Sequence, residues 1–332
     1  MASENFYHFS PAGKVCKLAS RDEAAKTLFQ KGYVWIDIEK PDREIMEFWK
    51  SPLKLFPMSI DDCLDENHVP KVNDFPDYSF ILFVQEIYKD KSIQINEVDF
   101  FIGKNFLLSV HSLEIQTGFF ENASRESLFQ NPIVFDGPDF LLHLLLDGII
   151  DEKIIVIDKI EEELEKIEEE VLKPQGKSQP VELMQLRRNI ISLRKCVFHE
   201  REILVKLCRR DSQFLREKTI YYFRELYDHL TKLFETIEIN REMVTSIMEI
   251  YLSQISIRIS HSANQTNLVM KRLTVLMTIF SPLAIITGFF GMSEWTMMIG
   301  ADNWKTGFMF LFLAMCLFGT LNYFFLKRFR WT

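Results

Sequence analysis

Apolar and polar positions change rhythm along the 332-residue chain, and each rhythm predicts a different kind of element. Over the first 115 residues, short runs rich in aromatic and β-branched residues alternate with turn signals. Val34-Trp35-Ile36-Asp37-Ile38, Phe80-Ile81-Leu82-Phe83-Val84 and Val98-Asp99-Phe100-Phe101-Ile102 read as strands of a mixed α/β domain. Gly103-Lys104-Asn105 reads as the turn into a further strand, Phe106-Leu107-Leu108-Ser109-Val110. From Asp151 to Leu172 the period lengthens to that of a helix, with Ile154, Ile157, Ile160, Leu164, Ile167 and Val171 on one stripe. Lys173-Pro174-Gln175-Gly176 ends this helix and Pro180 opens the next. Val181 to Ser281 then contains neither Gly nor Pro, the two residues that helices exclude. Its apolar positions recur at three and four: Ile237, Val244, Ile247, Ile250 or Tyr251, Ile255 and Ile259. A helix from about Glu225 into the apolar run that follows would be ~100 Å long at ~1.5 Å per residue. One small domain cannot bury such a helix, so it should pack along copies of itself.

The last rhythm is the absence of one. Leu273 to Met292 and Gly307 to Leu326 are runs of twenty residues without a charge. Each matches the ~20 residues needed to cross a hydrocarbon core of ~30 Å. Lys271 and Arg272 precede the first run, and Lys327, Arg328 and Arg330 follow the second. Both basic flanks belong in the cytoplasm, so the connection from Ser293 to Thr306 faces outside. A buried helical hairpin of a soluble domain is the competing reading, and two charge-free runs with matching basic flanks argue against it. The expectation is a multi-pass protein of the inner (plasma) membrane with both termini cytoplasmic. Its parts would be a cytoplasmic α/β domain (1–145), a helical hairpin with a long stem helix (146–268) and a transmembrane domain (269–332).

Charge sharpens this division. The chain carries 39 Lys and Arg against 47 Asp and Glu, a formal charge of −8. Divided at Lys271, it is −12 before and +4 from there on. An acidic balance excludes a nucleic-acid polymer as main partner, since that surface needs clustered Lys and Arg. The five cysteines form no C-x-x-C pair and point to a reducing compartment, and the N-terminus has no signal-peptide pattern. On the helix of residues 151–172 the faces away from the apolar stripe are acidic (Glu161, Glu162, Glu163, Glu165, Glu168, Glu169, Glu170). The next helix exposes a basic face (Arg187, Arg188, Arg194, Lys195, Arg201, Arg209, Arg210). The two read either as a hairpin with complementary solvated faces or as an acidic surface that gathers divalent cations. No Gly-rich nucleotide loop, H-E-x-x-H or Ser-His-Asp grouping is present, and His199, His229 and His261 stand singly. Nothing in the chain asks for an enzyme.

One stripe in the first apolar run carries candidate chemistry. Asn267, Met270, Thr274, Met277, Ser281, Ala284, Gly288 and Gly291 are spaced by three and four residues and share one helix face. Small, hydroxylated, amide and thioether side chains suit either a pore lining or a small-residue packing seam between membrane helices. Spacing alone leaves both open.

The same region carries a family resemblance. Asn267-Leu-Val-Met-Lys-Arg-Leu-Thr274, Ile279-Phe-Ser-Pro-Leu283 and Thr287-Gly-Phe-Phe-Gly-Met292 resemble the CorA family of divalent-cation channels. Trp35-Ile-Asp37, Pro70-Lys-Val72, Phe101-Ile-Gly-Lys-Asn105 and Tyr222-Phe-Arg-Glu-Leu-Tyr-Asp-His229 extend the resemblance over nearly the whole chain. It implies an α+β membrane protein assembled as a homopentameric funnel. The N-terminal α/β domain would be cytoplasmic, the stem helix would line the pore and the second membrane helix would form an outer ring. It selects the pore reading of the stripe, which Met292 and Ser293 would continue to the outer mouth. Mg²⁺ gives up its water reluctantly, so oxygens at Asn267 and carbonyls at Gly288 and Gly291 would meet a hydrated ion. Met270 and Leu273 would form an apolar constriction.

The resemblance also implies a cytoplasmic regulatory site for Mg²⁺ between neighbouring subunits, at Asp61, Asp62, Glu225 and Glu249. The ion would turn repulsion between carboxylates into a clamp, and its loss would loosen the assembly and open the pore. The expected function is passive transport of Mg²⁺, with Co²⁺ or Ni²⁺ as further cargo. One departure stands out: Gly291-Met292-Ser293 replaces the family's Gly-Met-Asn, and a Ser hydroxyl is a shorter, poorer ligand for a hydrated ion. That departure keeps two alternatives open. One is a CorA-fold effector of the branch associated with CRISPR defence, gated by a nucleotide messenger. The other is zinc transport, as in a sister branch.

Overall fold

A computed structural model describes residues 3–65, 68–111, 129–173, 180–209, 213–291 and 304–328. The chain divides into two units, Met1–Glu249 and Ile250–Thr332.

The first unit is built on one seven-stranded sheet. Its strands are β1 (Ser3–Ser10), β2 (Lys14–Lys17), β3 (Tyr33–Glu39), β4 (Lys71–Asp74), β5 (Tyr78–Lys89), β6 (Ser92–Gly103) and β7 (Phe106–His111), in the order β2-β1-β3-β7-β6-β5-β4. All four strands read from the sequence are present, and β6 pairs antiparallel with β7 across the expected turn. β3 and β7 form the one parallel pair, Val34 opposite Phe106. The β5–β6 hairpin closes through Asp90 and Lys91, both at positive φ (51° and 61°). This pair of conformations matches the right-handed twist of the strands it joins.

Both faces of the sheet are covered, so β3 and β7 are buried along almost their whole length. Alternation then assigns residues to layers. Val34, Ile36, Ile38, Leu108 and Val110 join a core with Ala24 of α1 (Arg21–Thr27), Met46 and Trp49 of α2 (Arg43–Lys50) and Ile60 of α3 (Pro57–Leu64). The helix α4 (Pro138–Leu172) packs along β5, β6, β7 and β3.

α4 starts thirteen residues before the Asp151 expected from its periodicity. Phe140 to Ile150 is apolar on nearly all sides because it is buried, so it shows no amphipathic period to read. Gly137, at φ 157°, precedes the helix, and a Cβ there would lie 2.4 Å from the Arg216 guanidinium. The buried stripe also begins differently from its sequence reading: Lys153, Val156, Ile157 and Ile160 point inward, while Ile154 is exposed.

The span without Gly or Pro forms two helices, α5 (Pro180–Cys208) and α6 (Glu217–Phe290). Tertiary contacts fix where α6 begins. The buried Asp139 carboxylate accepts from the Arg216 backbone N–H at 3.1 Å, from the Arg216 guanidinium and from the Thr219 hydroxyl. Along α6, Ile237, Val244 and Ile247 are buried, whereas Ile259 is exposed. The second unit contains the rest of α6 and α7 (Trp304–Arg328). Both hold apolar windows long enough to span a membrane, and neither window is buried.

Candidate functional site

α3 is held on β5 by a small hydroxyl network. Pro57 occupies the first turn, where a missing N–H costs nothing. Ser59 donates to the Phe56 carbonyl at 2.9 Å and meets the Tyr78 hydroxyl at 2.6 Å, which also accepts from the Phe56 N–H. With Ile60 and Cys63 turned inward, Asp61 and Asp62 reach the outer side. Asp61 is exposed and lies 3.3 Å from Arg43, a solvent-screened pair of small energetic weight. Asp62 is more sheltered, 2.7 Å from Lys71 Nζ and 3.7 Å from His68 Nε2.

The two other candidate carboxylates lie on α6. Glu225 is exposed and acts on His143 and Asp147 of α4. Burial lowers the His143 pKa to about 4, and Glu225 partly opposes that. Glu249 lines a shallow groove of 580 Å³ with Arg187, Arg194 and Arg241. Among the described residues, no three His, Cys, Asp or Glu side chains converge where they could hold a metal ion. One copy of the chain therefore offers these carboxylates singly or as the adjacent pair on α3. The acidic face of α4 and the basic face of α5 find partners elsewhere: Glu163 accepts from Tyr88, Glu161 from Asn240, and Arg194 pairs with Glu238 of α6.

The stripe on α6 sits on an open face. Asn267, Met270, Leu273, Thr274, Met277, Ser281, Ala284, Gly288 and Gly291 are all exposed. The partly covered residues of the same segment, Val275, Ile279, Pro282, Leu283 and Ile286, recur at three and four and form a different face. Within one copy the stripe is therefore not the covered seam. Thr274 and Thr287 donate their hydroxyl protons to carbonyls one turn back, at 2.8 and 2.9 Å. Such back-bonding satisfies the proton inside the helix and leaves oxygen lone pairs facing outward. A Cβ at Gly288 would meet nothing within 4 Å, so the backbone there is open. Met292 and Ser293 lie outside the described residues.

The sequence reading missed the buried polar groups of the first unit. Lys153 Nζ is fully buried and reaches Glu86, Glu200 at 3.0 Å and the Val84 carbonyl at 2.5 Å. Burial raises the Glu200 pKa to about 7, against the pull of Lys153. On the sheet, Asp37 accepts from the Ser109 hydroxyl at 2.6 Å and lies 3.3 Å from His111. A usable signal existed: Lys153 and Glu200 each occupy an inward position among the apolar residues of an amphipathic helix.

The CorA-like Mg²⁺ transporter protein family matches residues 30–328. The cobalt/magnesium transport protein CorA of Thermotoga maritima is 29% identical, covering 99% of this chain and 90% of that protein. The CorA protein of the same description from Methanocaldococcus jannaschii is 28% identical, covering 78% and 80%. The complete structure of the Methanocaldococcus jannaschii CorA magnesium transporter superimposes with a TM-score of 0.70 at 24% identity, covering 99% of this chain and 98% of that one.

Proposed function

Because this chain belongs to the CorA-like Mg²⁺ transporter family, whose members are transporters and not enzymes, we propose that it is a homopentameric channel passing divalent cations down their gradient. Mg²⁺ is its first cargo, with Co²⁺ or Ni²⁺ as others, and the inner membrane with cytoplasmic termini is its setting. The observation that carries this reading is the exposed, uncharged face of α6 from Asn267 to Gly291. Copies arranged about an axis with that face inward line a path for a hydrated ion. The Asn267 amide, the Thr274 and Ser281 hydroxyls and the backbone at Gly288 and Gly291 supply oxygens to the water shell. Met270, Leu273 and Met277 supply the narrow apolar section, which gates by dewetting. Ala284 keeps the bore open, and Met292 and Ser293 carry it to the outer mouth. The acidic excess before Lys271 raises the local cation concentration.

Gating rests on Asp61 and Asp62 of one copy meeting Glu225 and Glu249 of another. Their donors are carboxylate oxygens alone, the set that a hard ion such as Mg²⁺ takes. A bound ion offsets their mutual repulsion and holds the closed assembly; without it the closed state loses that support. Full-length protein in proteoliposomes with an entrapped Mg²⁺-responsive dye tests the proposal. Flux should appear when divalent ions are removed from the cytoplasmic side. Gly288→Phe should slow it at least about tenfold, a loss of ~1.4 kcal/mol in the rate-limiting step. Phe310→Leu, on α7, should leave it unchanged. No flux under a Mg²⁺ gradient would refute transport.

A further inference from the structure

After Glu249 the chain carries two acidic residues, Glu294 and Asp302, and both lie in the connection between the apolar runs. At the opposite end of those runs stand Arg272 of α6 and Lys327 and Arg328 of α7, all exposed. The second unit therefore gathers positive charge at one end of its hairpin and holds its carboxylates at the other. Where basic residues meet the cytoplasmic face of a bilayer, the negative charge that answers them is carried by lipid headgroups.

The face of α7 that leads to Arg328 has the outline of a lipid track. Phe310, Leu313, Leu317, Leu321, Phe324 and Arg328 recur at three and four residues and share one side of the helix. Its five apolar members are 61–82% exposed. From Leu317 to Arg328 the track is ~16 Å long at ~1.5 Å per residue, about half of a ~30 Å hydrocarbon core and so the depth of one leaflet. On the neighbouring side, Tyr323 stands one turn before Lys327 and is exposed, which puts a phenol where tyrosines gather at membrane interfaces. The long stems of Lys and Arg follow apolar surface and lift the charge to headgroup level.

Charge selects among the lipids. A zwitterionic headgroup brings its own ammonium beside the phosphate, and that ammonium repels Arg and Lys. A headgroup of net negative charge leaves the phosphate free for the bidentate bonds that a guanidinium makes.

We propose that this end of α7 binds an anionic phospholipid of the cytoplasmic leaflet, its phosphate held by Arg328 and Lys327 and its chains laid along Leu317, Leu321 and Phe324. Arg272 of α6 adds positive charge on the same face of the membrane. The inference rests on the membrane hairpin and its orientation; it uses no residue of the ion path and none of the regulatory carboxylates.

Lipid retention tests it. The full-length protein is reconstituted in vesicles of equal parts phosphatidylglycerol and phosphatidylcholine and extracted in detergent, and the lipid that stays bound is counted by mass spectrometry. Phosphatidylglycerol should be retained over phosphatidylcholine by at least about tenfold, the effect of two basic residues near the surface. Arg328→Gln and Lys327→Gln should each lower that preference about fivefold. Each single variant leaves the other basic flanks in place, so the hairpin keeps its orientation. Lys305→Gln, at the other end of α7, should leave the preference unchanged. Equal retention of the two lipids overturns the proposal, as does an unchanged preference in both Arg328→Gln and Lys327→Gln. An equal loss in Lys305→Gln also overturns it, and so does release of the lipid by millimolar inorganic phosphate, which indicates a site for free anions. Retention is read without an ion gradient. A protein that passes Mg²⁺ without a lipid preference refutes the lipid site alone, and a preference without flux supports the lipid site while refuting transport.

Discussion

In the first unit, Lys153, Glu86 and Glu200 are sealed under the sheet, while in the second Phe308, Phe310, Leu313 and Phe324 stand exposed. The first unit hides three charges and supplies their partners itself. The second displays apolar surface on all sides of two helices and supplies no cover for most of it. A contiguous apolar surface of that extent does not persist in water. In a bilayer it is the surface expected, since the backbone is already satisfied within each helix. The contrast separates what one chain completes from what lipid and further copies must complete. Substitutions in the first unit should thus register as folding defects, and those on the α6 stripe as transport defects at unchanged stability.

Removing the buried lysine should give the largest effect. Lys153→Met leaves two buried carboxylates unpaired and should destabilise the first unit by about 3–5 kcal/mol. Replacing Glu86 and Glu200 by Leu in the same chain should recover most of that loss, because an apolar trio has no desolvation cost. Denaturant unfolding followed by the fluorescence of the buried Trp35 and Trp49 reads both changes. Asp139→Ala should cost about 2–3 kcal/mol by removing the charged acceptor at the start of α6, again on that fluorescence transition. On the other side of the contrast, Ser293→Asn should sharpen Mg²⁺ over Co²⁺ in proteoliposome flux and leave the transition unmoved. A shift in the unfolding midpoint with this variant would break the proposed separation.

β3, β5, β6 and β7 were legible because their runs are aromatic and β-branched, and the β6–β7 turn because Gly and Asn mark it, whereas β1, β2 and β4 were not read. The parallel pairing of β3 with β7 was not, since it joins segments about seventy residues apart with no local signature. The start of α4 was hidden by its own burial. The site divides in the same way. Spacing by three and four placed Asn267 to Gly291 on one face, a property of a single helix that sequence can carry. That the covered face is instead Val275, Ile279, Leu283 and Ile286 depends on packing, so only structure reports it. Asp61, Asp62, Glu225 and Glu249 could be named one by one, and among the described residues of one copy they form no metal-holding group.

The pH dependence of the first unit takes its sign from three buried groups. Glu200 is raised to about 7 and Asp99 to about 8, each chiefly by burial. An acid whose folded pKa is raised stabilises the fold below its unfolded value and loses that contribution as pH rises through the folded value. The unfolded values are about 4.3 for Glu and 3.9 for Asp. His143, lowered to about 4 by burial, acts oppositely: the folded state excludes its proton, so stability rises with pH up to the unfolded value of ~6.5. The histidine and the two acids oppose each other between about pH 4 and 6.5, and above that the acids act alone. The unfolding midpoint of the first unit should therefore fall from about pH 6.5 to 8. Asp99→Asn and Glu200→Gln should each flatten that fall, because an amide has no proton to lose. A flat midpoint over this interval would mean that both carboxyls are already ionised in the folded chain. The triad around Lys153 would then be held by two full negative charges, and the lysine substitution should cost still more.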